Sequence, residues 1–189
     1  MSNPKSVSYW NNPRESIATK YKDADCAYFT SGMKDAATVL KMLARPLIEL
    51  SGLRLLDFGC GTGRTARPLA FFFREVIGYD PSHPCITAAL RECEPLLIKN
   101  LRYTSALDPS SDLCDVGISI SVLEHLGLKD QCDLLELMRN HVKKEGKLVL
   151  WYHPKDNGNA LREYFPDQPF PGVGPKDKPG IYINTFVNV

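Results

Sequence analysis

The chain has 189 residues, 43% of them hydrophobic, which is enough to bury the core of one domain. Its 23 basic and 22 acidic residues leave a formal net charge of +1, so nothing in the charge balance points to a nucleic acid, an anionic membrane or an acidic partner. The six cysteines (Cys26, Cys60, Cys85, Cys93, Cys114 and Cys132) form no Cys-x-x-Cys pair, and no stretch approaches a bilayer span. The expectation is a reduced, soluble, cytoplasmic protein with neither a metal site nor a disulfide framework.

Residues 1–31 are polar but carry Tyr9, Trp10, Tyr21, Tyr28 and Phe29, which suits either a lid over a ligand site or an arm packed on the surface. From Met33 to Leu50, Ala36, Val39, Leu40, Leu43, Leu47 and Leu50 recur at helical spacing. Pro46 should bend or split that helix, and Ser51-Gly52 should end it. Leu53-Arg54-Leu55-Leu56-Asp57-Phe58 then reads as a buried strand that breaks into Gly59-Cys60-Gly61-Thr62-Gly63-Arg64. Glycines spaced by one residue let backbone approach a ligand closely, and a helix start beyond them aims free N–H groups at polar ligand atoms. The alternative is a turn whose glycines serve geometry alone.

A helix over Ala66 to Phe73 follows, with Thr65 as its N-cap so that Pro68 falls in the first turn. Glu75 to Asp80 reads as a second strand ending in an acid. Pro81-Ser82-His83-Pro84 starts a helix that runs toward Glu94 and stops at Pro95. Leu101 to Leu107 is a third strand, Asp108-Pro109-Ser110-Ser111-Asp112 a turn, and Cys114 to Ile120 a buried fourth strand. Asp130 to Lys144 has a helical apolar face, and Gly146 opens a fifth strand over Lys147 to His153. Pro154 to Gly180 is rich in proline and glycine, with a short helix-like piece at Asn159 to Tyr164; Ile181 to Val189 alternates as one more strand.

Strands alternating with helices predict an α/β, doubly wound, mostly parallel Rossmann-like sheet with abbreviated C-terminal strands. The expected organisation is a single domain over 1–189, with an N-terminal arm over 1–31, a core over 53–153 and a C-terminal segment over 154–189. In such a sheet the ligand sits beyond the carboxyl ends of the strands where strand order reverses. Asp80 is delivered to that place, where a carboxylate accepts hydrogen bonds from both hydroxyls of a ribose; capping the turn before Pro81 is its simpler alternative.

The glycine spacing narrows the choice of nucleotide. A dinucleotide fingerprint asks for Gly-x-Gly-x-x-Gly, and Arg64 stands where its last glycine belongs. No Gly-Lys-Ser/Thr follows for a phosphate loop. Leu55 through Gly63, with Asp80, the fourth strand running into Val122-Leu123-Glu124-His125-Leu126, and the Gly-Lys-Leu-Val-Leu fifth strand, resembles the class I S-adenosylmethionine-dependent methyltransferases over roughly residues 53–153.

The resemblance implies S-adenosylmethionine as cofactor. It places Gly59, Cys60, Gly61 and Gly63 at the methionine portion, Asp57 near its amino group, and Asp80 with Pro81 at the ribose. Ala106, Leu107 and Asp108 would meet the adenine, Asp108 standing in for an acid that many relatives carry where Thr104 and Ser105 stand here, and Ser121 would line the site. His125 and His153 are the candidate general bases, each with a packing role as the alternative.

Ser119-Ile120-Ser121-Val122 occupies the place of the Asn/Asp-Pro-Pro-aromatic tetrapeptide found in enzymes that methylate nucleobase or amide nitrogens. The implied reaction is therefore methyl transfer to an O, N or C atom of a small molecule, with no nucleic acid or membrane partner. Two other readings stand beside it: a non-catalytic cofactor-binding module whose sheet a partner or further domain completes, and an NAD(P)-dependent oxidoreductase, which Arg64 and the lack of a Tyr-x-x-x-Lys pair disfavour.

Overall fold

The apolar run at the centre of the chain forms the centre of the sheet. In the computed structural model, which describes residues 26–152 and 180–185, β1 (Arg54–Phe58) pairs in parallel with β2 (Glu75–Tyr79) on one side and with β4 (Cys114–Ile120) on the other. β3 (Leu101–Thr104) flanks β2, and β5 (Val142–Tyr152) flanks β4, both in parallel. β6 (Gly180–Thr185) runs antiparallel along β5, giving the order β3-β2-β1-β4-β5-β6. Strand order reverses between β1 and β4, which opens a crevice beyond their carboxyl ends.

Alternation along β1 divides the core. Leu55 packs with Val76, Tyr103, Val116 and Val149 on one face, covered by α1 (Cys26–Leu43), α3 (Ala66–Leu69) and α4 (His83–Cys93). Leu56 and Phe58 pack with Ile77, Leu148 and Leu150 on the other, beneath Leu135 and Met138 of α5 (Leu128–His141). Each such aliphatic side chain, taken fully out of water, contributes about 1.5–3 kcal/mol.

Several boundaries differ from those predicted. Among the described residues α1 is already helical at Cys26, well before Met33, and Pro46 splits off a separate turn, α2 (Leu47–Leu50). Between the two, Ala44 takes the left-handed region at φ 49°. α3 is a single turn and does not reach Phe73, because the Asn100 amide donates to the carbonyls of Ala70 (2.7 Å) and Phe73 (2.9 Å) and ends it. Thr65 precedes α3 without a side-chain cap. Ser82, by contrast, caps α4 by accepting from the Cys85 N–H at 3.4 Å.

β3 stops at Thr104, whose hydroxyl turns onto the Ala106 carbonyl (2.6 Å) and so diverts the backbone from the ladder. α5 ends at His141, because Val142 already pairs with Cys114 across a register shift and Lys143 reaches the Asp115 carboxylate at 2.6 Å. Among the described residues the last strand is Gly180–Thr185, and 186–189 of the predicted strand lie outside them. The helix-like piece at 159–164 lies outside the described residues.

Candidate functional site

β1 delivers the chain to a loop made of three left-handed glycines, Gly59 (φ 75°), Gly61 (φ 55°) and Gly63 (φ 77°). The Gly59 and Cys60 N–H groups donate to the Tyr79 carbonyl at 2.7 and 3.0 Å, tying the loop to the end of β2. The three glycines have different reasons to lack a side chain. A Cβ on Gly59 would come within 2.5 Å of Val122, and one on Gly63 within 2.1 Å of the Tyr103 hydroxyl. A Cβ on Gly61 would meet no heavy atom within 4 Å. The outer two are required by packing inside the protein, whereas the open side of Gly61 is a cradle for something from outside.

Asp80 completes that cradle. One carboxylate oxygen accepts from the Gly61 N–H (2.9 Å) and the other from the Ser82 N–H (2.8 Å). Burial pushes this carboxyl above its ordinary value, and the two N–H donors oppose the shift. Gly59, Gly61 and Asp80 open on a cavity of about 340 Å³, with Pro81 and Cys85 continuing it along α4. Ser121, Val122, His125 and Leu126 wall it from the end of β4, and Asp130, Asp133, Leu134 and Leu137 from α5, with Tyr79 at its side. Ser121 is itself left-handed (φ 56°), and its N–H donates to the Trp151 carbonyl at 2.7 Å. That bend re-aims the chain after β4.

Behind the loop, Asp57 is 3% exposed. Burial pushes its carboxyl up to about 7, with Arg64 opposing and Asp80 and Asp35 reinforcing. Cys60 and Gly63 are also buried in the loop and, like Asp57, do not reach the cavity surface.

The structure thus brings Gly59, Gly61, Asp80, Pro81, Ser121 and His125 together around one cavity. It does not bring Ala106, Leu107 and Asp108 there. Leu107 packs into the core beside Tyr79, Leu134 and Leu137. Asp108 turns onto its own loop, accepting from the Ser110 N–H (2.9 Å) and from the Ser110 and Ser111 hydroxyls, which holds its carboxyl below the ordinary value. An Asp-Pro-Ser-Ser turn satisfies its own acid locally. His153, Tyr9, Trp10 and Tyr21 lie outside the described residues.

Sequence reasoning missed Tyr79, Cys85, Val122, Leu126 and the α5 wall. Leu134 and Leu137 carried a signal, their helical spacing, but it reads as core. That this end of α5 overhangs a cavity is set by the loops around it.

The family described as a methyltransferase domain matches residues 32–172. Among curated proteins, the chain is 31% identical over 143 residues to the ubiquinone biosynthesis O-methyltransferase of Cereibacter sphaeroides (strain ATCC 17023), covering 74% of this chain and 57% of that protein. It is 34% identical over 108 residues to the protein of the same name from Rhodopseudomonas palustris (strain BisA53), covering 56% and 38%. The chain spans well under two thirds of the length of these relatives. Among solved structures, magnesium protoporphyrin IX methyltransferase from Synechocystis PCC 6803, determined with bound S-adenosylmethionine, superposes with a TM-score of 0.65 at 19% identity over 97% of this chain and 98% of that one. The chain belongs to the methyltransferase-domain family, with the class I fold that its glycine motif resembles.

Proposed function

We propose that the domain binds S-adenosylmethionine in the crevice beyond β1, β2 and β4 and catalyses methyl transfer to a small-molecule acceptor. The observation that carries this reading is the open cradle of Gly61 beside the Asp80 carboxylate. Flat ligand backbone fits where no Cβ stands, and an acid held by two N–H donors still has lone pairs for a ribose diol. The family match supports the class of reaction, and the relatives' names, O-methyltransferases of ubiquinone biosynthesis, support a small acceptor.

When bound, the cofactor supplies a methyl group already activated by a sulfonium. Gly59 and Gly61, which line the cavity, would hold its methionine portion and Asp80 with Pro81 the ribose, while Gly63 and Asp57 lie buried behind the loop, from where the Asp57 charge would draw the cofactor's ammonium. Ser121 and Val122 wall the site from the end of β4. Leu126, Leu134 and Leu137 give the remaining space an apolar lining that keeps water from the reacting atoms. His125 stands on the same wall, placed to take the proton of a neutral O or N nucleophile as the methyl arrives.

We read the chain as one domain. A partner or further domain would pair beyond β6, the outermost strand among the described residues. Among those residues no helix is long and apolar enough to cross a membrane. The free cysteines Cys60, Cys85, Cys93, Cys114 and Cys132 support a cytoplasmic location.

The test is a screen of phenolic, amine and carbon-acid acceptors with S-adenosylhomocysteine formation as readout. Acceptor-dependent formation is expected. Cofactor binding with no acceptor-dependent turnover across the panel would overturn the enzyme reading in favour of a binding module.

A further inference from the structure

The wall that carries His125 is a single turn of 3-10 helix, Leu123–His125, between β4 and α5. Backbone bonds run along it from the His125 N–H to the Val122 carbonyl (2.9 Å) and from the Leu126 N–H to the Leu123 carbonyl (3.1 Å). A turn this short does not hold itself, because each bond offsets too little of the backbone freedom it removes. At Leu126 the chain is already extended. The placement of the turn has to come from outside it.

The start of the turn is held by packing, since Leu123 is buried and shares the core with Leu135 and Met138 of α5. The end is held by one side chain. Gln131 of α5, 3% exposed, donates through its amide nitrogen to the Leu123 carbonyl at 3.1 Å and to the Leu126 carbonyl at 3.0 Å. A primary amide has the two N–H donors that such a bridge needs. The Gln131 backbone N–H donates to the Gly127 carbonyl at 2.9 Å, so the side chain leaves from a fixed point. His125 lies in the chain between the two bridged carbonyls and lines the cavity with Leu126, while Asp130 and Leu134, on the same helix as Gln131, line it too. Gln131 ties these two walls together without itself reaching the cavity surface.

We propose that Gln131 is a positioning residue for the acceptor side of the site: its amide, bridging the Leu123 and Leu126 carbonyls, sets where His125 and Leu126 stand in the cavity. This rests on the methyltransferase reading, in which His125 takes the acceptor's proton, and adds to it the side chain that places His125. The cofactor cradle is tied elsewhere, by the Gly59 and Cys60 N–H groups on the Tyr79 carbonyl and by the Gly61 N–H on Asp80. Loss of the Gln131 amide therefore slows transfer and leaves cofactor binding unchanged. Leu123 stays seated in the core, so the later half of the turn moves while the domain remains folded.

Gln131→Met fills the same space with no donor, and Gln131→Glu keeps the shape while its carboxylate faces the two carbonyls. In ligand-free protein, hydrogen exchange followed by NMR should show protection of the His125 and Leu126 N–H groups falling about tenfold in Gln131→Met, with Gly59 and Cys60 unchanged. The His125 ring signals should move toward those of free histidine, and calorimetry should give an unchanged Kd for S-adenosylmethionine. With the acceptors that wild type methylates, drawn from phenols, amines and carbon acids graded in acidity, kcat should fall about tenfold or more at unchanged KM for the cofactor. The fall should be largest for acceptors that must lose a proton at the assay pH and smallest for those already deprotonated. For Gln131→Glu the rate relative to wild type should rise as pH falls, since the protonated acid regains one donor. The neighbouring titratable groups, Glu124 and His125 in the turn and Asp130 and Asp133 in α5, are common to both proteins.

Unchanged exchange at His125 and Leu126 in Gln131→Met would overturn the proposal, as would a loss of rate equal for every acceptor or one matched by weaker cofactor binding. A wild type that methylates nothing in the panel would instead overturn the enzyme reading, while exchange and the ring signals still judge the hold of Gln131 on the turn. If Gln131→Met does not fold, Gln131→Glu carries the test: a relative rate and a Leu126 protection that do not change with pH contradict the bridge.

Discussion

At the scale of single residues, Asp57 shows the site working against the fold. Its folded midpoint, about 7, lies above the ordinary 3.8, so the folded state holds the proton more tightly and stability falls as pH rises between those values. Above pH 7 the deficit is constant. Asp57→Asn removes it, and thermal unfolding should show the variant more stable than wild type by about 4 kcal/mol at pH 8, with the gain gone near pH 4. The same variant should bind S-adenosylmethionine far more weakly. The glycines divide similarly. Gly61→Ala, with open space at its Cβ, should cost only about 1 kcal/mol for its positive φ but should lower cofactor affinity sharply. Gly63→Ala drives a methyl into Tyr103 and should destabilise by about 2–4 kcal/mol, measured by denaturant unfolding. Sequence spacing marked all three glycines alike, because it records that a side chain is absent and not what fills the space. Asp108 was misplaced for a related reason: the competition between a ligand and the adjacent Ser110 and Ser111 is settled by turn geometry.

At the scale of elements, the strands were legible where burial fixes them. β1, β2 and β4 lie almost entirely in the core, and their apolar runs show it. The ends of elements were less legible, since they are decided by distant partners: Asn100 stops α3, and Cys114 draws Val142 into β5. The helical stretch before Met33 was hidden because Tyr28, Phe29 and Ser31 serve the glycine loop, so they do not follow the amphipathic stripe that begins at Ala36. The break between α1 and α2 was visible in Pro46, although the strain it leaves at Ala44 was not. Ala44→Gly removes a left-handed alanine and should stabilise the protein by about 0.5–1 kcal/mol, read as a rise in Tm. Were Tm to fall, the left-handed turn between α1 and α2 would be wrong.

For the whole molecule, the order β3-β2-β1-β4-β5 places the reversal, and so the crevice, at β1 and β4. The sequence put the glycine turn and Asp80 at the reversal, but alternating strands and helices do not say which strands neighbour each other. What closes the far edge was less visible, because a short strand after a proline-rich stretch does not say which neighbour it joins. β6 joins β5 antiparallel and covers its outer edge from Lys147 to Tyr152. Deleting residues 180–189 should expose that edge and promote concentration-dependent association, measured by light scattering, while the glycine loop stays intact. The account as a whole depends on one event in the crevice, and titration calorimetry of the intact chain with S-adenosylmethionine, S-adenosylhomocysteine and NAD tests it most directly. Saturable one-to-one binding of the first two, abolished or much weakened in Asp80→Ala, with no heat from NAD, is the predicted result. Binding of NAD alone, or cofactor affinity unchanged in Asp80→Ala, would contradict it.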